Sequence, residues 1–98
     1  MITIHYHADF KTWLFGIRDE PTRARLMKRL KRAEVGLLGD VKPVGGGVFE
    51  MREDFGPGWR MYYVRRGDAV IMMLGGGDKS TQARDIEAAK VLVQTLED

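Results

Sequence analysis

The amino-acid sequence predicts an α+β domain with the element order β-α-α-β-β-β-α. In some segments apolar and polar residues alternate, which is typical of strands, and in others apolar residues recur at i, i+3, i+4 and i+7, which is typical of helices. Glycine and proline separate most of these segments. For a chain of 98 residues we expect one small domain, residues 1–98, without an independent second one.

The N-terminal third predicts a strand followed by a helical hairpin. Ile2, Ile4 and Tyr6 alternate with polar residues and predict a strand over residues 2–6. A helix is predicted near residues 8–18, with one apolar face: Phe10, Trp13, Leu14 and Ile17. A second helix is expected to begin near residue 20, because Asp19 can cap it and Pro21 suits a first turn. Its apolar positions are Leu26, Leu30, Ala33 and Leu37, flanked by Met27.

The remaining elements are three strands and a final helix. Gly36 and Gly39 end the second helix, and residues 39–47 predict a loop by composition. Strands are predicted in VFEMRE (48–53), WRMYYVR (59–65) and AVIMMLGGG (69–77), the last covered on both faces because its apolar run is unbroken. The glycines 75–77 are expected to let the backbone leave this strand, with Asp78 or Ser80 capping the final helix. That helix has one apolar face: Ile86, Ala89, Val93 and Leu96.

Composition limits the class of protein. A hydrophobic content of 44% with 31% charged residues is typical of a globular domain and is too interrupted for a membrane span. The absence of cysteine excludes disulfides and thiolate metal sites. No signal peptide is visible in MITIHYHADF. We therefore expect a soluble, cytoplasmic protein without a membrane partner.

Positive charge is concentrated near the N-terminus. Residues 1–34 contain eight Lys and Arg against four Asp and Glu. On the second helix, Arg25, Lys28, Arg29 and Arg32 share one face beside the apolar positions. This face is either a solvated outer surface or a contact surface for phosphates or an acidic partner.

Two familiar kinds of site are not supported by the sequence. GGGDKS lacks the glycine that must precede the lysine of a nucleotide-binding P-loop, because Asp78 stands before Lys79. His5 and His7 lie two apart on the first predicted strand, but the spacing implies no third metal ligand. We expect solvent-facing edge histidines, no metal site and no cofactor.

A more promising group of polar side chains follows the predicted strands. Alternation puts Glu50, Arg52, Arg60 and Tyr62 on one face, and Lys42 lies where the chain enters the sheet. If this face is solvated, two arginines and a lysine beside a Tyr and a Glu would suit RNA phosphodiester cleavage, which needs proton transfer and cationic stabilisation of the phosphate. The alternative is a cross-strand salt bridge of Glu50 with Arg52 or Arg60.

Four segments are similar to a known family: FKTWL (10–14), GDVKPVGGGVFEMRE (39–53), FGPGWRMYYVRRGD (55–68) and LGGGDKSTQARDIEAAK (74–90). Together they resemble the RelE/ParE toxin superfamily, and more narrowly its addiction module killer protein branch with HigB-like relatives. The resemblance implies a twisted antiparallel sheet packed on an N-terminal helical hairpin, with a C-terminal helix. It also implies the toxin of a type II toxin–antitoxin system that cleaves mRNA on the ribosome without metal.

The resemblance also assigns roles to single residues. Lys42, Arg52 and Arg60 would hold the scissile phosphate, and Glu50 and Tyr62 would handle protons. The histidine or tyrosine that family members carry near the C-terminus is replaced here by GGGDKST, where Lys79 could supply a charge for binding RNA.

The same family allows other targets and partners. ParE-type members poison DNA gyrase without cleaving RNA, and a third alternative is a chain that acts mainly through its antitoxin and, with it, operator DNA. The implied antitoxin is a helix-turn-helix protein. An acidic segment of it could lie across Arg25, Lys28 and Arg32, which are also candidates for RNA binding, or on the polar sheet face.

Overall fold

The computed structural model describes residues 1–96, which contain five strands and three α-helices. In chain order they are β1 (Thr3–Tyr6), α1 (Ala8–Phe15), α2 (Glu20–Glu34), β2 (Val41–Gly45), β3 (Val48–Arg52), β4 (Arg60–Arg66), β5 (Val70–Gly77) and α3 (Gln82–Thr95). A short 3₁₀ turn, Lys79–Thr81, leads into α3. The predicted α+β class is confirmed, with one strand more than the sequence predicted.

The strands form one mixed sheet in the order β1-β5-β4-β3-β2. β1 runs parallel to β5, and the other neighbours are antiparallel. The prediction of a loop over residues 39–47 was wrong for Val41–Gly45, which pairs with β3 as the edge strand β2. An edge strand tolerates Pro43, because the missing N–H can face away from the neighbouring strand.

The sheet is covered on both faces. α1 and α2 cover one face, where the larger core contains Phe10, Leu26, Met61, Ile71 and Met73 among its buried residues. α3 covers the other face around a smaller core: Val48, Tyr62, Val64, Leu74 and Ala89. β5 contributes to both cores, as its unbroken apolar run predicted.

Side-chain caps set the start of both N-terminal helices. Asp19 accepts hydrogen bonds from the Thr22 backbone N–H at 3.1 Å and from the Thr22 hydroxyl at 2.6 Å, which confirms the predicted start of α2. His7 caps α1, since its Nδ1 accepts from the Asp9 N–H at 3.0 Å. His7 therefore lies outside β1, contrary to the predicted strand pair, whereas His5 is exposed on this edge strand.

The three glycines before α3 form the end of β5, within the predicted strand 69–77, and the chain leaves the strand after Gly77. A Cβ on Gly76 would overlap the Trp13 ring, and a Cβ on Gly77 would overlap the Asp85 carboxylate. These two glycines allow α1 and α3 to approach the strand closely. Asp78 caps the 3₁₀ turn, where its Oδ1 accepts from the Ser80 N–H at 2.8 Å. The prediction that Asp78 or Ser80 caps the final helix was wrong, because α3 is preceded by Thr81, which makes no capping side-chain hydrogen bond.

Two features are absent from residues 1–96. No helix there is long and apolar enough to cross a membrane. Likewise, no three His, Asp or Glu side chains within these residues are grouped so that they could hold a metal ion.

Candidate functional site

The predicted polar face exists, but α3 covers most of it. Glu50 lies opposite Tyr62, and Arg52 lies opposite Arg60, so all four side chains share one face of β3 and β4 as predicted. The expectation that this face is solvated was wrong: Glu50 is 1% exposed, Arg60 6% and Tyr62 0%. α3 packs on this face through Ala89 and its apolar neighbours.

The buried part of this face is a polar cluster. Glu50 Oε2 accepts a hydrogen bond from Gln82 Nε2 of α3 at 2.8 Å. Glu50 Oε1 lies 3.8 Å from Arg60 Nε, which is the cross-strand ion pair named as the alternative in the sequence analysis. Arg60 Nη1 donates to the carbonyls of Glu53 and Trp59, both at 3.0 Å. Arg60 is therefore held firmly in one orientation.

Two atoms of this cluster have no hydrogen-bond partner within residues 1–96: Arg60 Nε and the Tyr62 hydroxyl. Burial, and then the negative charges of Glu50 and Asp85, raise the pKa of Tyr62 well above its usual value. The phenol is therefore protonated near neutral pH, and it cannot serve as a base there.

An open cleft adjoins the buried cluster, at the ends of β3 and β4. Three cationic side chains line it, namely Arg52, Arg60 and Lys79, and its volume is about 240 Å³. We call it the arginine cleft. Lys79 reaches it because its backbone N–H donates to the Pro57 carbonyl at 3.4 Å. Its side chain also packs on Gly58, where a Cβ would lie only 2.8 Å from Lys79 Cγ.

Carboxylates balance part of this positive charge. Asp40, Glu53 and Asp54 also line the arginine cleft. Asp40 Oδ1 accepts from Arg52 Nη2 at 3.0 Å, and this hydrogen bond lowers the pKa of Asp40. Within residues 1–96 no carboxylate forms an ion pair with Lys79. Lys79 is thus the cleft cation best able to meet an incoming anion.

The five residues predicted as catalytic fall into three places. Arg52 and Arg60 meet at the arginine cleft, together with Lys79. Glu50 and Tyr62 lie beneath α3. Lys42 is exposed on β2 opposite Glu50 and does not line the cleft.

The basic face of α2 is only partly a solvated surface. Lys28 and Arg32 are exposed, and the Arg25 guanidinium lies 4.0 Å above the Phe55 ring. Arg29 instead points into the fold and forms an ion pair with Glu53. No local pattern distinguishes Arg29 from the others, because all four side chains share the same helical spacing.

Sequence reasoning missed Asp40, Glu53, Asp54 and Gln82. Asp40 lies in a segment read as loop, and Gln82 contacts Glu50 across 32 positions of sequence. No local pattern signals such a contact, because it depends on where α3 docks.

A protein of Haemophilus influenzae (strain ATCC 51907 / DSM 11121 / KW20 / Rd), described as uncharacterized, is 41% identical to this chain over 87 residues. The aligned part covers 89% of this chain and 88% of that protein. No family model matches the chain. The similarity therefore extends over most of both chains.

Proposed function

We propose that this chain, which belongs to one family with the Haemophilus influenzae protein, is the toxin of a type II toxin–antitoxin system and cleaves mRNA on the ribosome. The single observation that carries the proposal is the meeting of Arg52, Arg60 and Lys79 in the arginine cleft. The resemblance of four segments to the RelE/ParE superfamily supports it. A RelE/ParE-like topology, with the hairpin of α1 and α2 on one sheet face, is part of the same proposal.

The cleft cations would bind a phosphate of the RNA backbone. Guanidinium groups form charge-assisted, bidentate hydrogen bonds with phosphate oxygens, and the Lys79 ammonium adds a third positive charge. The 2′-oxygen loses its proton to a base and attacks the phosphorus, the bond to the 5′-oxygen breaks, and that oxygen takes a proton from solvent, which leaves a 2′,3′-cyclic phosphate. During this exchange negative charge grows on the non-bridging oxygens. Cations fixed in place before the reaction stabilise that charge. As the family resemblance implies, this reaction would need no metal ion.

Proton transfer would use groups other than those first expected. Glu50 and Tyr62 are buried beneath α3, so we assign Glu50 to the positioning of Arg60 through their 3.8 Å ion pair. Among the carboxylates lining the cleft, Asp40 pairs with Arg52 and Glu53 pairs with Arg29. Asp54 is exposed at the same cleft and is our candidate for accepting the 2′-hydroxyl proton.

Primer extension tests this proposal. The purified chain, added to translating ribosomes, should produce discrete cuts in mRNA. Arg52→Ala with Arg60→Ala should abolish them, and Lys79→Gln should reduce them roughly tenfold or more, as removal of one charge-stabilising donor does in other enzymes. Arg84→Gln, an exposed change on α3, is the matched control for loss of one positive charge. Undiminished cleavage by the double variant would mean that the site lies elsewhere.

A second candidate function is a binding toxin of the ParE type, which poisons DNA gyrase without nuclease chemistry. The burial of Glu50 and Tyr62 favours it, because neither of the two residues that the family resemblance implies for proton transfer reaches solvent. Inhibition of supercoiling with mRNA left intact would select this function over the first.

A further inference from the structure

A small cavity lies between α1, α3 and the last part of β5. β1 pairs with β5 only as far as Met73, opposite Tyr6, whereas β5 continues to Gly77. Within residues 1–96 no strand therefore covers the outer edge of β5 after Met73, and residues of α1 and α3 border the space there. Its volume is about 190 Å³, and it shares no lining residue with the arginine cleft. We call it the edge cavity.

Much of the surface of the edge cavity is apolar. Trp13 of α1 supplies an aromatic wall, and Leu74 of β5 and Leu92 of α3 supply aliphatic surface. Gly75 also lines the cavity, and a Cβ at this position would have no atom within 4 Å. Glycine therefore keeps the space open. The volume lies below the roughly 300 Å³ of sites for drug-sized ligands, so it suits a molecule of only a few heavy atoms.

Both charged residues that line the edge cavity are acidic. Asp9 lies on α1 and Asp85 on α3, and no Lys or Arg of residues 1–96 lines the cavity with them. Asp85 is 14% exposed, and its Oδ2 accepts from the Thr81 hydroxyl at 2.5 Å. Its Oδ1 lies 3.7 Å from Nε of Arg84, whose side chain is 78% exposed. Because an exposed guanidinium at this distance compensates a largely buried carboxylate only weakly, Asp85 can still accept from a cationic donor.

We infer that the edge cavity binds a small aliphatic diammonium ion. One ammonium group would donate to Asp85 and lie against the Trp13 ring, which attracts cations. The alkyl chain would cover Leu74 and Leu92, and the second ammonium group would pair with Asp9, which is 71% exposed. A neutral or anionic molecule of the same size fits poorly, because it leaves Asp85 without a cation. The inference does not depend on the proposed function.

Binding should also strengthen the contact between two helices. Asp9 and Asp85 belong to α1 and α3, so a bound diammonium ion would link the helices that lie on opposite faces of the sheet. A ligand that binds only the folded chain raises its melting temperature. The edge cavity would therefore couple the concentration of the cation to the docking of α3.

The four-carbon diamine putrescine is the probe for this site. Isothermal titration calorimetry of the full chain near neutral pH should show one saturable site with a dissociation constant of about 1 mM or tighter. The four-carbon diol, which has no charge, and succinate, which has two negative charges, should each bind at least about tenfold more weakly. The melting temperature should rise with the concentration of putrescine and remain unchanged with the diol.

Three variants map the site. Asp85→Asn removes the less exposed carboxylate and should weaken putrescine binding at least about tenfold. Asp9→Asn removes the exposed one and should weaken it about threefold, as is typical of exposed ion pairs. Gly75→Val fills the cavity without a change in charge and should weaken binding at least about tenfold. Glu87→Gln is the matched control, because Glu87 is 74% exposed on α3 and does not line the cavity.

Several outcomes would overturn the inference. Putrescine could fail to saturate, or the diol or succinate could bind as tightly as putrescine does. Glu87→Gln could weaken binding as much as Asp85→Asn, which would indicate unspecific attraction to acidic residues. Circular dichroism verifies that each variant is folded, and unchanged binding by folded Asp9→Asn and Gly75→Val would place the site elsewhere.

The mRNA assay keeps the two proposals apart. A chain that binds putrescine but cuts no mRNA would remove the proposed nuclease function and leave the edge cavity assignment intact. Conversely, a chain that cuts mRNA but does not bind putrescine would overturn only the inference about the cavity.

Discussion

The guanidinium of Arg29, on α2, forms a partly buried ion pair with the carboxylate of Glu53, which directly follows β3. The same guanidinium donates to three backbone carbonyls: Leu38 and Asp40 on the way into β2, and Arg52 at the end of β3. One side chain thus joins the helical hairpin to the two strands that border the arginine cleft.

Arg29→Met should lower the free energy of unfolding by about 3 kcal/mol, because it leaves the Glu53 carboxylate, only 14% exposed, without its counter-ion. Urea denaturation followed by circular dichroism measures this. Arg32→Met is the matched control on the same helix, exposed to solvent, and it should change stability by no more than about 0.5 kcal/mol. Equal effects of the two changes would show that the Arg29 ion pair does not hold the fold.

Substitution by alanine should change stability in opposite directions at two neighbouring glycines of β5. Gly76→Ala puts a methyl group into the Trp13 ring, which itself packs against Phe10 and Trp59, so we expect a loss of about 1–3 kcal/mol. Gly75→Ala meets no atom within 4 Å and should gain up to about 1 kcal/mol from the stiffer unfolded chain. Thermal melts of both variants compare them, and similar melting temperatures would contradict the close approach of Trp13.

Tyr62→Phe should raise the free energy of unfolding by about 1 kcal/mol, because the buried hydroxyl that it removes has no hydrogen-bond partner. The raised pKa of Tyr62 also makes stability depend on pH. The contribution of Tyr62 to the free energy of unfolding is fully present below pH 10.0, the usual pKa of tyrosine. It is lost as pH rises towards the folded-state pKa, because only the unfolded chain then ionises. Urea titrations at pH 8 and above should show a shallower alkaline loss in Tyr62→Phe.

Tyr62→Phe also distinguishes a structural role of the Tyr62 hydroxyl from a role in the reaction. If Tyr62→Phe is more stable yet loses mRNA cleavage, the hydroxyl takes part in the reaction despite its burial. Tyr6→Phe, at an exposed phenol, is the stability control and should change the free energy of unfolding by at most about 0.5 kcal/mol. A destabilised Tyr62→Phe variant would mean that the hydroxyl is hydrogen-bonded in solution.

Most of the elements could be predicted because their signals are local. The spacing of Leu26, Leu30 and Ala33 and the cap at Asp19 belong to α2 alone, and the structure confirms both. The apolar run of β5 likewise predicted a strand buried on two faces. Strand β2 was missed because glycine and proline suggest a loop, whereas pairing with β3 is a long-range effect.

The candidate site depended on contacts that no local pattern contains. The alternation of side-chain directions along a strand correctly predicted one shared face for Glu50, Arg52, Arg60 and Tyr62. It could not show that α3 would cover three of them, because a three-helix α+β domain has two sheet faces on which that helix can dock. In the same way, Arg29 was indistinguishable from Arg25 and Arg32 until the position of Glu53 was known.

The pairing of Asp40 with Arg52 predicts how stability changes in acid. The hydrogen bond from Arg52 lowers the pKa of Asp40 below its usual 3.8, so the folded state binds this proton less readily than the unfolded chain. The contribution of Asp40 to the free energy of unfolding is present above pH 3.8 and is lost as pH falls through the folded-state pKa. Asp40→Asn should therefore flatten part of the loss of stability between neutral pH and about pH 2, measured by urea titration at each pH.

Arg52→Gln is the companion variant for this prediction, because it removes the other partner of the same pair. It should reduce the acid dependence as Asp40→Asn does, and the double variant should lose no more than either single change. Asp19→Asn provides the control. The hydrogen bonds from Thr22 lower the pKa of Asp19 independently of Arg52, so this change should add to the effect of Asp40→Asn. Identical pH profiles for wild type and Asp40→Asn would show that the pair at the arginine cleft is not formed in solution.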